Sequence, residues 1–182
     1  MNRQEASAFY RMHSKPLYNA ALRILHDCAE AEEVMQDTLL KYIRQGIRSA
    51  TPAQAAAWLR TSCIRAAIDR LRARKHDPLW QAVREEDPPL RSDRGEASGE
   101  MAEDPVLDDS DTWEGPMPDV MQIRREMETM PPPYGLVLNL VLIEGLDYSE
   151  IARLTGQKES TLRSIYARGR ARLAERLKKM RI

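Results

Sequence analysis

The chain has 182 residues, of which 31% are charged and only 5% aromatic, so a core must be aliphatic, and the length suits one ordinary domain or two small ones. Its formal net charge of zero hides an uneven layout: residues 1–76 carry net +6, residues 77–119 net −11 and residues 120–182 net +5. The most apolar stretch, Gly135–Ile143, is broken by Asn139 and falls well short of the ~20 residues a membrane-spanning helix needs.

The opening MNRQEASAFYRMHSKP lacks the uninterrupted apolar segment of a secretory signal, so the chain is read as cytoplasmic, with no stable membrane insertion. Leu17, Ala21, Ile24, Leu25 and Cys28 then repeat at helical spacing, and so do Ala31, Val34, Met35, Thr38, Leu39, Tyr42 and Ile43. Gly46 should end that second helix, and GIRSATP (Gly46–Pro52) has loop composition. A third helix is expected from about Ala53 to Lys75, with Ala57, Ile64, Ile68 and Leu71 as its apolar stripe and arginines on its other faces. No strand-like alternation interrupts this block, which reads as a small helical bundle.

Residues 77–118 read as a linker. They hold Pro78, Pro88, Pro89, Pro105, Pro116 and Pro118 and few aliphatics, so they cannot bury enough apolar surface to offset backbone ordering. Asp119 then suits the N-cap of a helix carrying Val120, Ile123, Met127 and Met130 on one face. The run Pro131–Pro133 breaks it and starts another helix, Tyr134–Glu144, which Gly145 terminates. Asp147 and Glu150 have the spacing of a capping box, Gly156 suits a tight turn, and a second, arginine-rich helix follows. That order is a helix-turn-helix, the device that delivers one helix to the major groove of DNA. Ile151, Ala152 and Leu154 face inward on its first helix, and Leu162, Ile165 and Leu173 on its second. Arg163, Arg168, Arg170 and Arg172 are left to point outward.

Neither metal nor cofactor is expected. Cys28 and Cys63 lie far apart and read as small buried hydrophobes, and His13, His26 and His76 have no ligand spacing. No carboxylate or His/Cys constellation of an enzyme or nuclease stands out. A stand-alone helix-turn-helix regulator with a ligand-sensing N-terminal half remains the alternative, although residues 1–76 lack the mix of aromatic and polar side chains of a ligand pocket.

Three motifs in correct order carry a resemblance. AEAEEVMQDTLLKYI (Ala29–Ile43), AWLRTSCIRAAIDRLRARK (Ala57–Lys75) and MPPPYGLVLNLVLIEGLDYSEIARLTGQKESTLRSIYARGRARL (Met130–Leu173) resemble regions two and four of the extracytoplasmic-function (ECF) group of bacterial sigma factors. The resemblance implies an all-α protein of two small helical domains, residues 1–76 and 119–182, joined by the acidic linker. It implies no active site. Its partners would be core RNA polymerase, promoter DNA and an anti-sigma factor, with the linker threading the polymerase channel that later carries RNA.

The same resemblance assigns residues. Glu33, Gln36 and Asp37 fall where the family meets the polymerase clamp. The melted minus-ten element would meet the loop through Ser49 and Thr51 and a basic groove of Arg44, Arg48, Arg60 and Arg65. Arg70, Arg72 and Arg74, with Lys75, would contact phosphates. The minus-thirty-five duplex would be read by Thr161, Arg163, Ser164, Ala167 and Arg168. Ser160 and Thr161 would sit on phosphates at the helix N-terminus, and Arg170 and Arg172 on the backbone. Several residues depart from the family pattern. Arg65 replaces a common asparagine, Ser62 and Cys63 an apolar pair, and Gly135 an arginine. Ala167 replaces a larger ring, and Gly169 an alanine at an expected cost of about 0.5–1 kcal/mol in helix stability.

Overall fold

A computed structural model describes residues 3–45, 51–74 and 119–180, and every regular element among them is helical. The expected linker, together with Gly46, Arg48 and Ser49, lies outside the described residues, as does the side chain of Arg74. Two compact units result, each with its own core.

In the first unit α1 (Arg3–Leu25), α2 (Cys28–Arg44) and α3 (Pro52–Arg74) each pack on the other two. The helix expected to run through to Cys28 stops three residues earlier. His26 takes a left-handed φ of 52°, and the Asp27 carboxylate accepts the Glu30 amide at 2.9 Å to begin α2. Cys28 therefore sits exposed on the first turn of α2, against expectation, whereas Cys63 is buried and its thiol donates to the Leu17 carbonyl at 3.5 Å.

The stripe on α2 holds over Ala31, Val34, Met35, Thr38 and Leu39, which are buried, but not to its expected end: Tyr42 is half-buried and Ile43 exposed. Thr38 is a polar member of it, satisfied because its hydroxyl donates to the Val34 carbonyl at 2.7 Å. On α3 the inward face is wider than expected: Ala55, Leu59, Cys63 and Ala67 join Ile64, Ile68 and Leu71, and Ala57 is exposed instead. Ala21, Ala31, Cys63 and Ala67 are all fully covered, so small side chains let the three backbones approach.

The second unit begins with α4 (Val120–Glu128), whose Gln122 side chain accepts the Asp119 amide at 3.0 Å, as a capping box requires. Only the lower part of its expected stripe is buried: Met127 and Met130 are covered, while Val120 is 61% exposed. Pro132 and Pro133 open α5 (Pro132–Leu138), which runs on as a π-helical turn, Asn139–Ile143, closed by Glu144 N–H donating to the Asn139 carbonyl at 3.0 Å. Gly145 (φ 62°) ends this run and Gly156 (φ 70°) makes the turn between α6 (Tyr148–Thr155) and α7 (Glu159–Lys179). The capping box at the start of α6 forms in both directions, Glu150 N–H to Asp147 at 2.7 Å and Asp147 N–H to Glu150 at 3.0 Å. Ile151 and Leu154 of α6 are buried, as are Leu162, Ile165, Gly169, Leu173 and Leu177 of α7. Ala152 is only half-buried.

Two of the departures from the family pattern acquire a packing reason. A Cβ at Gly135 would stand 2.7 Å from the Met127 carbonyl oxygen, closer than two such atoms can approach. A Cβ at Gly169 would meet the Leu138 side chain at 3.3 Å, where α7 crosses α5. Gly135→Ala should therefore lower the stability of the full chain by about 1–3 kcal/mol in urea unfolding, because backbone rather than a side chain must move. Gly169→Ala should fall much closer to zero, since a helix-propensity gain of about 1 kcal/mol offsets the displacement of Leu138.

Candidate nucleic-acid and polymerase interface

The residues expected to meet polymerase share one exposed face of α2. Glu33, Gln36 and Asp37 follow each other at the three- and four-residue spacing that places side chains together on a helix. Leu40 and Ile43 continue that face at 44% and 40% exposure, an apolar addition that the charge pattern did not announce. Gln36 donates to Glu32 at 3.0 Å. Glu33 is engaged across the bundle: the Arg70 guanidinium of α3 lies 2.8 Å from it and 4.0 Å from Glu30.

That pairing divides the α3 arginines. Arg65 and Arg72 are seven residues apart and share a face, with Asp69 3.6 Å from Arg72. Arg70 turns toward α2, and Arg60 is exposed on a different side from Arg65. The described arginines thus supply two basic edges rather than one continuous groove. Arg44 is exposed on the last turn of α2. Thr51 caps α3: its hydroxyl oxygen accepts the Gln54 amide at 3.2 Å while Gln54 accepts the Thr51 amide at 3.2 Å. Its O–H stays available to donate.

An aromatic cluster joins all three helices of this unit and was missed in the sequence. Phe9 of α1 stacks on Tyr42 of α2 at 5.1 Å, Tyr42 meets Trp58 of α3 at 5.5 Å, and His13 tilts against Phe9 at 4.5 Å. Trp58 is therefore a packing residue here. Burial in this cluster pushes the His13 imidazole below its usual pKa. Tyr42 and Trp58 flank the segment between α2 and α3, so the cluster ties together the two ends of the expected base-capture loop. Isolated aromatics far apart in a sequence carry no periodic signal, which is why spacing did not reveal it.

On α7 the buried line Leu162, Ile165, Gly169, Leu173 leaves Ser160, Thr161, Ser164, Ala167 and Arg168 on the outer side. Ser160 and Thr161 are exposed in the first turn, where backbone amides and the helix dipole favour anions. The Ser164 hydroxyl donates to the Ser160 carbonyl at 3.0 Å. Arg168 and Arg170 are half-buried. The remaining two arginines do not simply extend outward. Arg163 lies over the Tyr148 ring, 5.2 Å from its centre, and 3.5 Å from Glu159, while Arg172 lies 4.6 Å over the buried Tyr134 ring. Arg172 is three residues from Gly169, at the edge of the buried seam, and a guanidinium there gains more over a ring than in water. Arg176 has an anchoring contact, donating to the Thr129 hydroxyl at 2.7 Å beside Glu126 at 3.4 Å, and so fastens α7 to the end of α4.

Among the described residues no group of three or more His, Cys, Asp and Glu is placed to hold a metal ion, and no helix is long and apolar enough to cross a membrane.

A three-helix bundle with an acidic–apolar helix face and a unit with a capped helix-turn-helix stand in one chain whose described elements are all helical. Residues 9–76 match the family described as Sigma-70 region 2, and residues 120–173 match Sigma-70, region 4. Together these segments span about two thirds of the chain, which belongs to the sigma-70 family. Several similar proteins carry ECF names. ECF RNA polymerase sigma factor SigE of Mycolicibacterium smegmatis is 27% identical over 169 residues, covering 93% of this chain and 60% of SigE. ECF RNA polymerase sigma factor SigM of Mycobacterium tuberculosis is 24% identical over 168 residues, covering 92% of this chain and 74% of SigM. The chain thus spans three fifths of one relative's length and about three quarters of the other's. A solved structure, described as the sigma factor RpoE in complex with the anti-sigma factor NepR from Bartonella quintana, has the same fold, with a TM-score of 0.54 at 19% identity over 96% of this chain and 98% of that one.

The cross-helix pair of Arg70 and Glu33 is measurable. Their side chains are 32% and 57% exposed, so a double-mutant cycle of Arg70→Ala and Glu33→Ala in urea unfolding should give a coupling of about 0.2–1 kcal/mol. The coupling should shrink as salt is raised.

Proposed function

We propose that this chain is an alternative sigma factor of the ECF type, which binds core RNA polymerase and gives it the choice of promoter. Residues 1–76 dock on polymerase and hold the melted minus-ten strand, residues 119–182 hold the minus-thirty-five duplex, and the acidic stretch between them connects the two. The polymerase does the chemistry, and the cytoplasm is where both meet. The observation that carries the reading is that matches to region 2 and region 4 stand in order on one chain, with an acidic–apolar helix face in the first and a helix-turn-helix in the second.

On α2, Glu33, Gln36 and Asp37 supply charge and hydrogen bonds to a basic polymerase surface, and Leu40 adds apolar area. On α3, Arg65 and Arg72 share the face best suited to phosphates of the minus-ten strand; Arg60, Arg44 and Thr51 serve the bases nearest the loop. On α7, Thr161, Arg163, Ser164, Ala167 and Arg168 form the edge that reads base pairs, with Ser160 and Arg170 on the backbone. Arg70 and Arg172 serve these surfaces chiefly by bracing the helices on which they stand. Control by an anti-sigma factor is part of this reading, supported by the like-folded sigma factor RpoE, whose structure is described in complex with the anti-sigma factor NepR.

Run-off transcription with purified core polymerase over a genomic promoter library tests the proposal. New start sites should appear only with the chain added, sharing elements near minus ten and minus thirty-five; no new start site with inhibitor-free protein refutes it. Arg65→Ala should lower the slope of log affinity against log salt for the holoenzyme–promoter complex by about one, the signature of one lost phosphate contact.

A further inference from the structure

Tyr148 is the first residue of α6 and Arg163 stands in the second turn of α7, yet the guanidinium of Arg163 lies 5.2 Å over the Tyr148 ring. The ring is itself held: Tyr166 meets it edge-on at 6.1 Å and 75°. Glu159, one turn earlier on α7, takes the guanidinium at 3.5 Å through Nη2. A long arginine side chain ordinarily surrenders considerable rotamer freedom when it pairs with a base. Here the first helix of the motif has already fixed where the group lies.

We propose that Tyr148 is a positioning residue that sets base selectivity in the minus-thirty-five element by holding Arg163 ready for a guanine edge, an inference that rests on α7 entering the major groove as argued above. The ring lies under the guanidinium carbon, 5.2 Å from its centre, and restricts where that group can sit. Bidentate pairing with guanine O6 and N7 uses two of the guanidinium's in-plane N–H donors. Glu159 is one partner of the guanidinium, half-exposed and therefore only weakly attached, so a base edge replaces it at little cost. The aromatic face is what matters, so the Tyr148 hydroxyl plays no part in this role.

The test is selection from a duplex library randomised in the minus-thirty-five element, using holoenzyme reconstituted from core polymerase and the full chain. Arg163→Ala should erase the preference at one base pair. Tyr148→Ala and Tyr148→Leu should weaken the preference at that same base pair by about two- to five-fold and spare the others, the range a cation–π contact at an exposed site implies. Tyr148→Phe should select as the unaltered protein does. The inference is overturned if Tyr148→Leu selects like the unaltered protein, if it weakens all positions alike as a packing defect would, or if Tyr148→Phe matches Tyr148→Ala. It is also overturned if Arg163→Ala changes no position. A holoenzyme with unaltered chain that shows no minus-thirty-five preference sinks the sigma-factor reading itself, an outcome distinct from all of these.

Discussion

Close approach of helix backbones across small residues is the constraint from which the rest follows. In the first unit Ala21, Ala31, Cys63 and Ala67 are entirely covered, and in the second Gly135 lies against the Met127 backbone with no room for a Cβ, while Gly169 lies closely against the Leu138 side chain. Aliphatic side chains such as Leu25, Leu59, Ile64, Leu140 and Ile165 fill the space on either side, each contributing about 1.5–3 kcal/mol by leaving water. Once those seams are set, the helical period of 3.6 residues decides where every charge points. The acidic–apolar face of α2 and the outer edge of α7 are what remain when the seam residues have been placed.

The charges left outside are not equivalent. Arg70, Arg163, Arg172 and Arg176 each have a specific neighbour: a carboxylate on another helix, a tyrosine ring, a second ring, and a hydroxyl beside a carboxylate. Single surface contacts of this kind contribute little to stability, commonly under about 1 kcal/mol. Their larger effect is on conformation, because an arginine already confined loses less freedom when it meets nucleic acid.

Much of this was legible in the chain itself. The Asp147–Glu150 capping box, the turns at Gly145 and Gly156, and the buried faces of α2 and α7 all follow from spacing and from turn chemistry. Local hydrogen bonds and periodicity are short-range properties, and short-range properties are written in sequence. What lay hidden involved partners far apart along the chain. Phe9, Tyr42 and Trp58 meet only after three helices pack, and Arg70 meets Glu33 only because α3 crosses α2. Gly169, read from sequence as a weak point in a helix, is better understood as the place where α7 passes Leu138 and Tyr134. The end of α1 differs from the periodicity for another reason: His26 adopts a left-handed conformation, uncommon for any residue with a Cβ, and Asp27 claims the next helix.

The central claim is that this chain selects promoters only as part of polymerase, whereas an ordinary helix-turn-helix regulator binds its duplex unaided. Equilibrium binding of one fluorescent promoter duplex, followed by anisotropy with the chain alone, with core polymerase alone, and with both, addresses that claim directly. The account predicts sequence-specific binding only when chain and polymerase are present together. Equally tight and equally specific binding by the chain without polymerase would contradict it.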